Sequence, residues 1–138
     1  MGFNRTLVSP DGRIPQPLRA GDGLLANFLP KAFAAETDET LTTADVSGGF
    51  IHQGTTLTSD VVYTLPTAAA LIAEWPEMDV GDSYSFMVNN SQVGAFDVVI
   101  AVAAGITAVG ANNTLSTPPQ STRMYNLVKT GAVTYALY

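Results

Sequence analysis

One histidine and no cysteine set narrow limits on what chemistry this 138-residue chain can do. His52 with Asp45 or Asp60 and a serine would supply the parts of a hydrolytic triad, but a triad needs geometry, and no spacing here implies one. The residues around the serines form no nucleophile elbow, and neither a P-loop nor a G-x-G-x-x-G run occurs. A thiolate metal site is excluded, and His52 has no second histidine to share a metal with. The acids Glu74, Glu77, Asp79 and Asp82 offer oxygen ligands for calcium, but not at the spacing of an EF-hand loop. They read as a solvated connection. The expectation is a chain with no catalytic residues, no metal and no cofactor.

The totals favour a protein that buries a core and meets partners. Hydrophobic residues make up 46% and charged residues only 13%, so most of the polar surface must be Thr, Ser, Asn and Gln. That balance suits one β-rich domain. No apolar run approaches the length needed to span a bilayer. Pro10, Asp11, Gly12 and Arg13 break up the N-terminus before a signal-peptide core can form, so the chain is expected to be unprocessed, without a membrane partner. The net charge of −6 is unevenly spread. Residues 1–31 carry four cations and two acids (4 − 2 = +2), whereas residues 32–138 carry two cations and ten acids (2 − 10 = −8). A basic segment joined to an acidic body points to attachment of that segment to a partner. The four spread cations lack an aromatic stacking pattern, and the acidic body would repel phosphate, so direct nucleic-acid binding is not expected.

Several elements must position these residues. Residues 1–40 are expected to form an extended N-terminal arm. Pro10, Pro15, Pro17 and Pro30 with four glycines prevent long regular structure, while Leu24, Leu25 and Phe28 are too apolar for a solvated tail. From residue 41 to 138 the pattern becomes short β-branched runs. Strands are expected at Leu41–Val46, Phe50–Gln53, Val61–Leu65, Ser83–Val88, Phe96–Val102 and Ile106–Val109, and Pro118-Pro119 blocks pairing beyond Thr114–Thr117. A hairpin of Thr122–Val128 and Ala132–Tyr138 around Lys129-Thr130-Gly131 completes the set. Between them, Thr67 caps a two-turn helix, Ala68–Trp75, which Pro76 ends and whose Leu71, Ile72 and Trp75 should cover one end of the sheet. About eight short strands at this spacing suggest an all-β fold, an antiparallel β-sandwich or jelly roll with one short helix.

The succession TLPTAAAL, VGDSYSFMVNN, VVIAVAAGITAVG and YNLVKTGAVTYALY resembles the capsid decoration or cement proteins of tailed bacteriophages. The likeness runs from Leu41 to Tyr138 and leaves the arm outside it. It implies a jelly-roll-like β-sandwich and a non-enzymatic virion protein on the outer surface of the capsid. Such a protein forms homodimers and reinforces a shell of HK97-like major capsid protein against internal DNA pressure. Under that reading the arm contacts the capsid, and Arg5, Arg13, Arg19, Leu24, Leu25, Phe28 and Lys31 are the contact candidates. The competing expectation is a carbohydrate- or receptor-binding module of a phage fibre, with Trp75, Tyr84, Tyr125 and Tyr138 as stacking aromatics.

Overall fold

The computed structural model describes residues 29–110 and 115–138. It is strand-rich, with ten strands and two short helices among the described residues. In chain order these are β1 (Lys31–Phe33), β2 (Glu39–Thr40), α1 (Thr43–Ser47), β3 (Phe50–Gln53), β4 (Val61–Thr64), α2 (Ala68–Glu74) and β5 (Ser83–Asn90). β6 (Val98–Ala101), β7 (Ile106–Ala108), β8 (Ser116–Thr117), β9 (Ser121–Gly131) and β10 (Thr134–Leu137) follow. They form a six-stranded sheet in the order β1-β3-β5-β9-β10-β7 and a four-stranded sheet in the order β2-β4-β6-β8. Both sheets contribute to one core: Ile51, Phe86, Val88, Tyr125 and Leu127 from the larger, Val61, Tyr63, Val98 and Ile100 from the smaller.

The pairing corrects the expected antiparallel arrangement. β1/β3, β3/β5, β2/β4, β4/β6 and β7/β10 are all parallel. Only β5/β9, β9/β10 and β6/β8 are antiparallel. The cause is connectivity. From β1 to β9 each successive strand belongs to the other sheet, so the neighbours β1/β3, β3/β5, β2/β4, β4/β6 and β6/β8 are two strands apart in sequence, whereas β5/β9 are four apart. A parallel pair needs a crossover connection, and here the crossover is often the strand of the opposite sheet.

Two local expectations also change. Leu41–Val46 is not a strand. Leu41 is buried, but Thr42 opens helix α1 with a capping box, its hydroxyl accepting from Asp45 N–H and Asp45 accepting from Thr42 N–H. Gly49, at φ +80°, then turns the chain into β3. The hairpin forms, but its turn moves. Gly131 lies in β9 opposite Thr134, leaving Ala132 and Val133 as the turn.

Helix α2 begins where expected, with the Thr67 hydroxyl accepting from Ala70 N–H. Leu71 is fully buried, and Trp75 stacks on Tyr84 at 4.4 Å between ring centroids. Glycine is needed under this helix. Gly105 has φ +83°, and a Cβ there would lie 2.6 Å from the Ala68 methyl.

Residues 31–40, which the sequence assigns to the arm, belong to the sheet edges. β1 borders the larger sheet and β2 the smaller. Glu36 and Asp38 fasten this crossing. The Glu36 carboxylate accepts from the N–H groups and hydroxyls of Thr58 and Ser59, and Asp38 accepts from Val62 N–H at 2.8 Å. Those bonds, the Thr58 N–H first, hold the Glu36 pKa below its ordinary value.

Candidate functional site

The side chains with catalytic potential are dispersed. His52 lies on the outward-facing side of β3, and its Nδ1 is 2.7 Å from Asn89 Oδ1. The Asn89 amide nitrogen donates to Thr122 Oγ1. Asp45 is occupied by its helix cap and by Lys31, 3.8 Å away, and Asp60 accepts from Asp97 N–H. No triad is assembled from these residues. The acidic corner is equally dispersed: Asp82 accepts from Asp79 N–H, and Glu74 accepts from the Ser47 hydroxyl. The Lys129 ammonium donates to Met78 O, fixing this loop to the end of β9. No group of three metal-ligating residues converges among the described residues.

A buried polar seam joins the sheets at the opposite end. Gln53 Nε2 donates to Tyr63 Oη at 2.7 Å and to Ala35 O at 3.1 Å. Asn90, opposite Gln53 in the β3/β5 ladder, donates to Phe96 O and Thr117 O. Thr117 Oγ1 in turn meets Tyr125 Oη at 3.1 Å. Burial pushes the Tyr63 pKa up to about 12, against the opposing bond from Gln53, and raises that of Tyr125 as well. The Gln53 and Asn90 amide nitrogens are paired, as the cost of an unpaired buried donor demands, whereas Asn90 Oδ1 is buried without a hydrogen-bond partner among the described residues. The seam sets strand register; it is not open to a substrate.

The functional interest lies in the outer faces, which the ladders define because Cα partners share a face. On the larger sheet, Phe50, Met87 and Met124 form an apolar row across three strands. It runs between two hydrogen-bonded polar rows, His52–Asn89–Thr122 and Ser85–Asn126. Ala32, Val128, Ala136, Thr107 and Tyr138 extend the face, and Met124 and Tyr138 are more than half exposed. Among the described residues this face carries no Asp, Glu, Lys or Arg.

The outer face of the smaller sheet is the opposite in charge. Asp60 and Asp97 immediately precede the paired residues Val61 and Val98 and so sit side by side, and Asp38 lies level with Val62. Each caps a neighbour: Asp60 and Asp38 accept from the N–H groups of Asp97 and Val62, and Asp97 accepts from the Ser116 hydroxyl. Val62, Thr64, Val99 and Ala101 continue the face, all partly exposed. Sequence reasoning missed this alignment although a signal existed. The triplet Asp-Val-Val occurs at 60–62 and again at 97–99, and the two copies pair in register.

Of the expected contact residues, Arg5, Arg13, Arg19, Leu24, Leu25 and Phe28 lie outside the described residues. Lys31 is on β1, beside Asp45 and 5.3 Å from the Phe33 ring centroid. Of the expected stacking aromatics, Trp75 and Tyr125 are buried, and the Tyr84 hydroxyl donates to Ser47 O. Tyr138 alone of the four is exposed. In comparisons with known proteins, no family model matches this chain, and neither a curated protein nor a solved structure is significantly similar to it.

Proposed function

We propose that this chain is a virion structural protein that cements the capsid of a tailed bacteriophage from outside. The body pairs with a second copy, and the basic arm lies on neighbouring HK97-like major capsid protein subunits. Arg5, Arg13, Arg19, Leu24, Leu25, Phe28 and Lys31 are the shell contacts in this reading. Each pair then carries two arms, so modest contacts to two shell subunits add through effective concentration. Subunits strained by internal DNA pressure gain contacts that must break before they part. The two sheets act as the layers of a sandwich that keeps both arms at a fixed separation.

One observation carries this reading: the charge-free outer face of the larger sheet. The described residues hold three cations and ten acids (3 − 10 = −7), so two bodies repel unless they meet where no acid is presented. The 33 residues of its six strands, at ~3.3 Å rise and ~4.8 Å spacing, give a face on the order of 500 Å². That is over half of the ~800 Å² per partner of a standard interface. The hydrogen-bonded rows also hold their side chains in place before contact, which lowers the entropy lost on binding.

The test uses shells of the cognate major capsid protein and two proteins, the full chain and one lacking residues 1–28. The shortened protein keeps every described strand and should remain paired but fail to sediment with shells. If it still decorates shells fully, the arm is not the attachment.

A further inference from the structure

We propose that the outer face of the four-stranded sheet is a seat for this chain's own basic segment, Arg5 to Arg19, in the free protein. The first observation is that three of this sheet's four strands, β2, β4 and β6, run parallel with β8 antiparallel at the edge, and parallel strands are ordinarily covered on both faces. One face of this sheet packs on the core through Val61, Tyr63, Val98 and Ile100. Across the other, Val62, Thr64, Val99 and Ala101 remain partly exposed. Neither helix lies there: α1 packs against β3 and α2, and α2 against β10.

Charge chooses the occupant. Asp38, Asp60 and Asp97 lie on this face, and no cation does among the described residues. Like charges directly opposite one another in a ladder are destabilising, and a cation placed over Asp60 and Asp97 relieves that. A second copy's matching face would add three more acids and is the wrong partner. The chain itself supplies Arg5, Arg13 and Arg19, interleaved with Leu7, Val8, Ile14 and Leu18, which suit Val62 and Val99. Length permits it. Leu29 begins the described chain on the edge where β1 and β2 lie, and the ten residues back to Arg19 span up to ~33 Å. The two sheets are only ~10 Å apart.

The seat itself does not depend on the cement reading; what rests on that reading is its role, holding the arm until shell contacts replace it. The experiment therefore uses free protein without shells. Trypsin cleavage after Arg5, Arg13 and Arg19 is timed at low salt in the wild type and in the triple variant Asp38→Asn, Asp60→Asn, Asp97→Asn. Asparagine keeps the oxygen acceptor that each aspartate uses, so the caps survive while the charge goes. The control, Glu74→Gln, Glu77→Gln, Asp79→Asn, changes net charge equally at the helical corner. The expected result is cleavage about fivefold faster in the triple variant, the sum of several weak exposed pairings, with the control at the wild-type rate. Wild-type cleavage should also accelerate as salt screens the seat. Equal rates in wild type and triple variant overturn the proposal, as does protection that grows with protein concentration, which would place the segment on another copy. If the triple variant fails to fold, the wild-type salt series decides alone, and salt-independent cleavage overturns the seat. Protection without shell decoration would sustain the seat and sink the cement reading.

Discussion

The two outer faces of this molecule are built from the same kind of strand and differ in what lies at their margins. The larger sheet turns outward an apolar row, Phe50–Met87–Met124, set between hydrogen-bonded Asn, His, Ser and Thr. The smaller sheet places three carboxylates beside a patch of Val, Thr and Ala. The difference follows from strand direction. Parallel strands begin at the same end, so an acid preceding each strand is stacked beside its neighbour's. In the larger sheet the antiparallel β5/β9 pair brings opposite ends together, and its cationic residues Arg123 and Lys129 share the inward parity of Tyr125 and Leu127. One face is therefore fit for a like-charged copy and the other for a cation.

The largest effect should come from breaking the seam that sets both faces. Asn90→Ala removes the donors to Phe96 O, which leads into β6, and to Thr117 O, in β8. It should cost ~1–3 kcal/mol in denaturant unfolding, since the buried Thr117 O loses its partner while Phe96 O keeps a bond from Gln92 Nε2. A loss below ~1 kcal/mol would mean that the amide does not hold the register. Next, Met124→Glu puts a carboxylate on the uncharged face at a position 57% exposed. Stability should change by less than ~0.5 kcal/mol, while self-association weakens at least about tenfold by sedimentation equilibrium. Unchanged association would move the copy contact elsewhere.

Asp60→Asn removes one of the two paired acids but keeps the cap on Asp97 N–H. In the protein lacking residues 1–28, where no basic segment can compensate the pair, it should stabilise the fold by ~0.2–1 kcal/mol at low salt, and the gain should vanish in high salt. A destabilised variant would show that the opposed charges are already compensated. The smallest effect concerns Glu36, whose folded pKa is lowered by its bonds from Thr58 and Ser59. Its contribution is present above the unfolded carboxylate value and is lost as pH falls through the lower folded value. Melting temperatures of wild type and Glu36→Gln should therefore differ at neutral pH and converge in acid; a gap that persists once the Glu36 carboxyl is protonated in the folded protein would assign the difference to something other than ionisation.

Much of this fold is legible in local pattern. The Thr67 cap, the alternation of Val61, Tyr63 and Leu65, and the inward set Phe86, Val88, Tyr125 and Leu127 all follow from period and propensity. Partner choice is not local. Val98–Ala101 reads as a half-buried strand whether its neighbour is parallel or antiparallel, so the alternation between sheets is invisible to periodicity. Leu41–Val46 misleads for a different reason: its β-branched residues favour a strand, but the hydrogen bonds between Thr42 and Asp45 outweigh that preference over one turn. Asn89-Asn90 looks like a turn, yet Asn90 is buried because Phe96 O and Thr117 O lie within reach of its amide. The acids of the smaller sheet were readable only as the repeated Asp-Val-Val, and only to a reader expecting parallel pairing.

The most direct measurement is an electron cryo-microscopy map of shells decorated with this protein. The expected map shows bodies in pairs, six-stranded sheets facing each other across a two-fold axis, with the two N-terminal segments lying on different shell subunits. Single bodies whose larger sheet faces solvent, or N-terminal segments that make no contact with the shell, would contradict it.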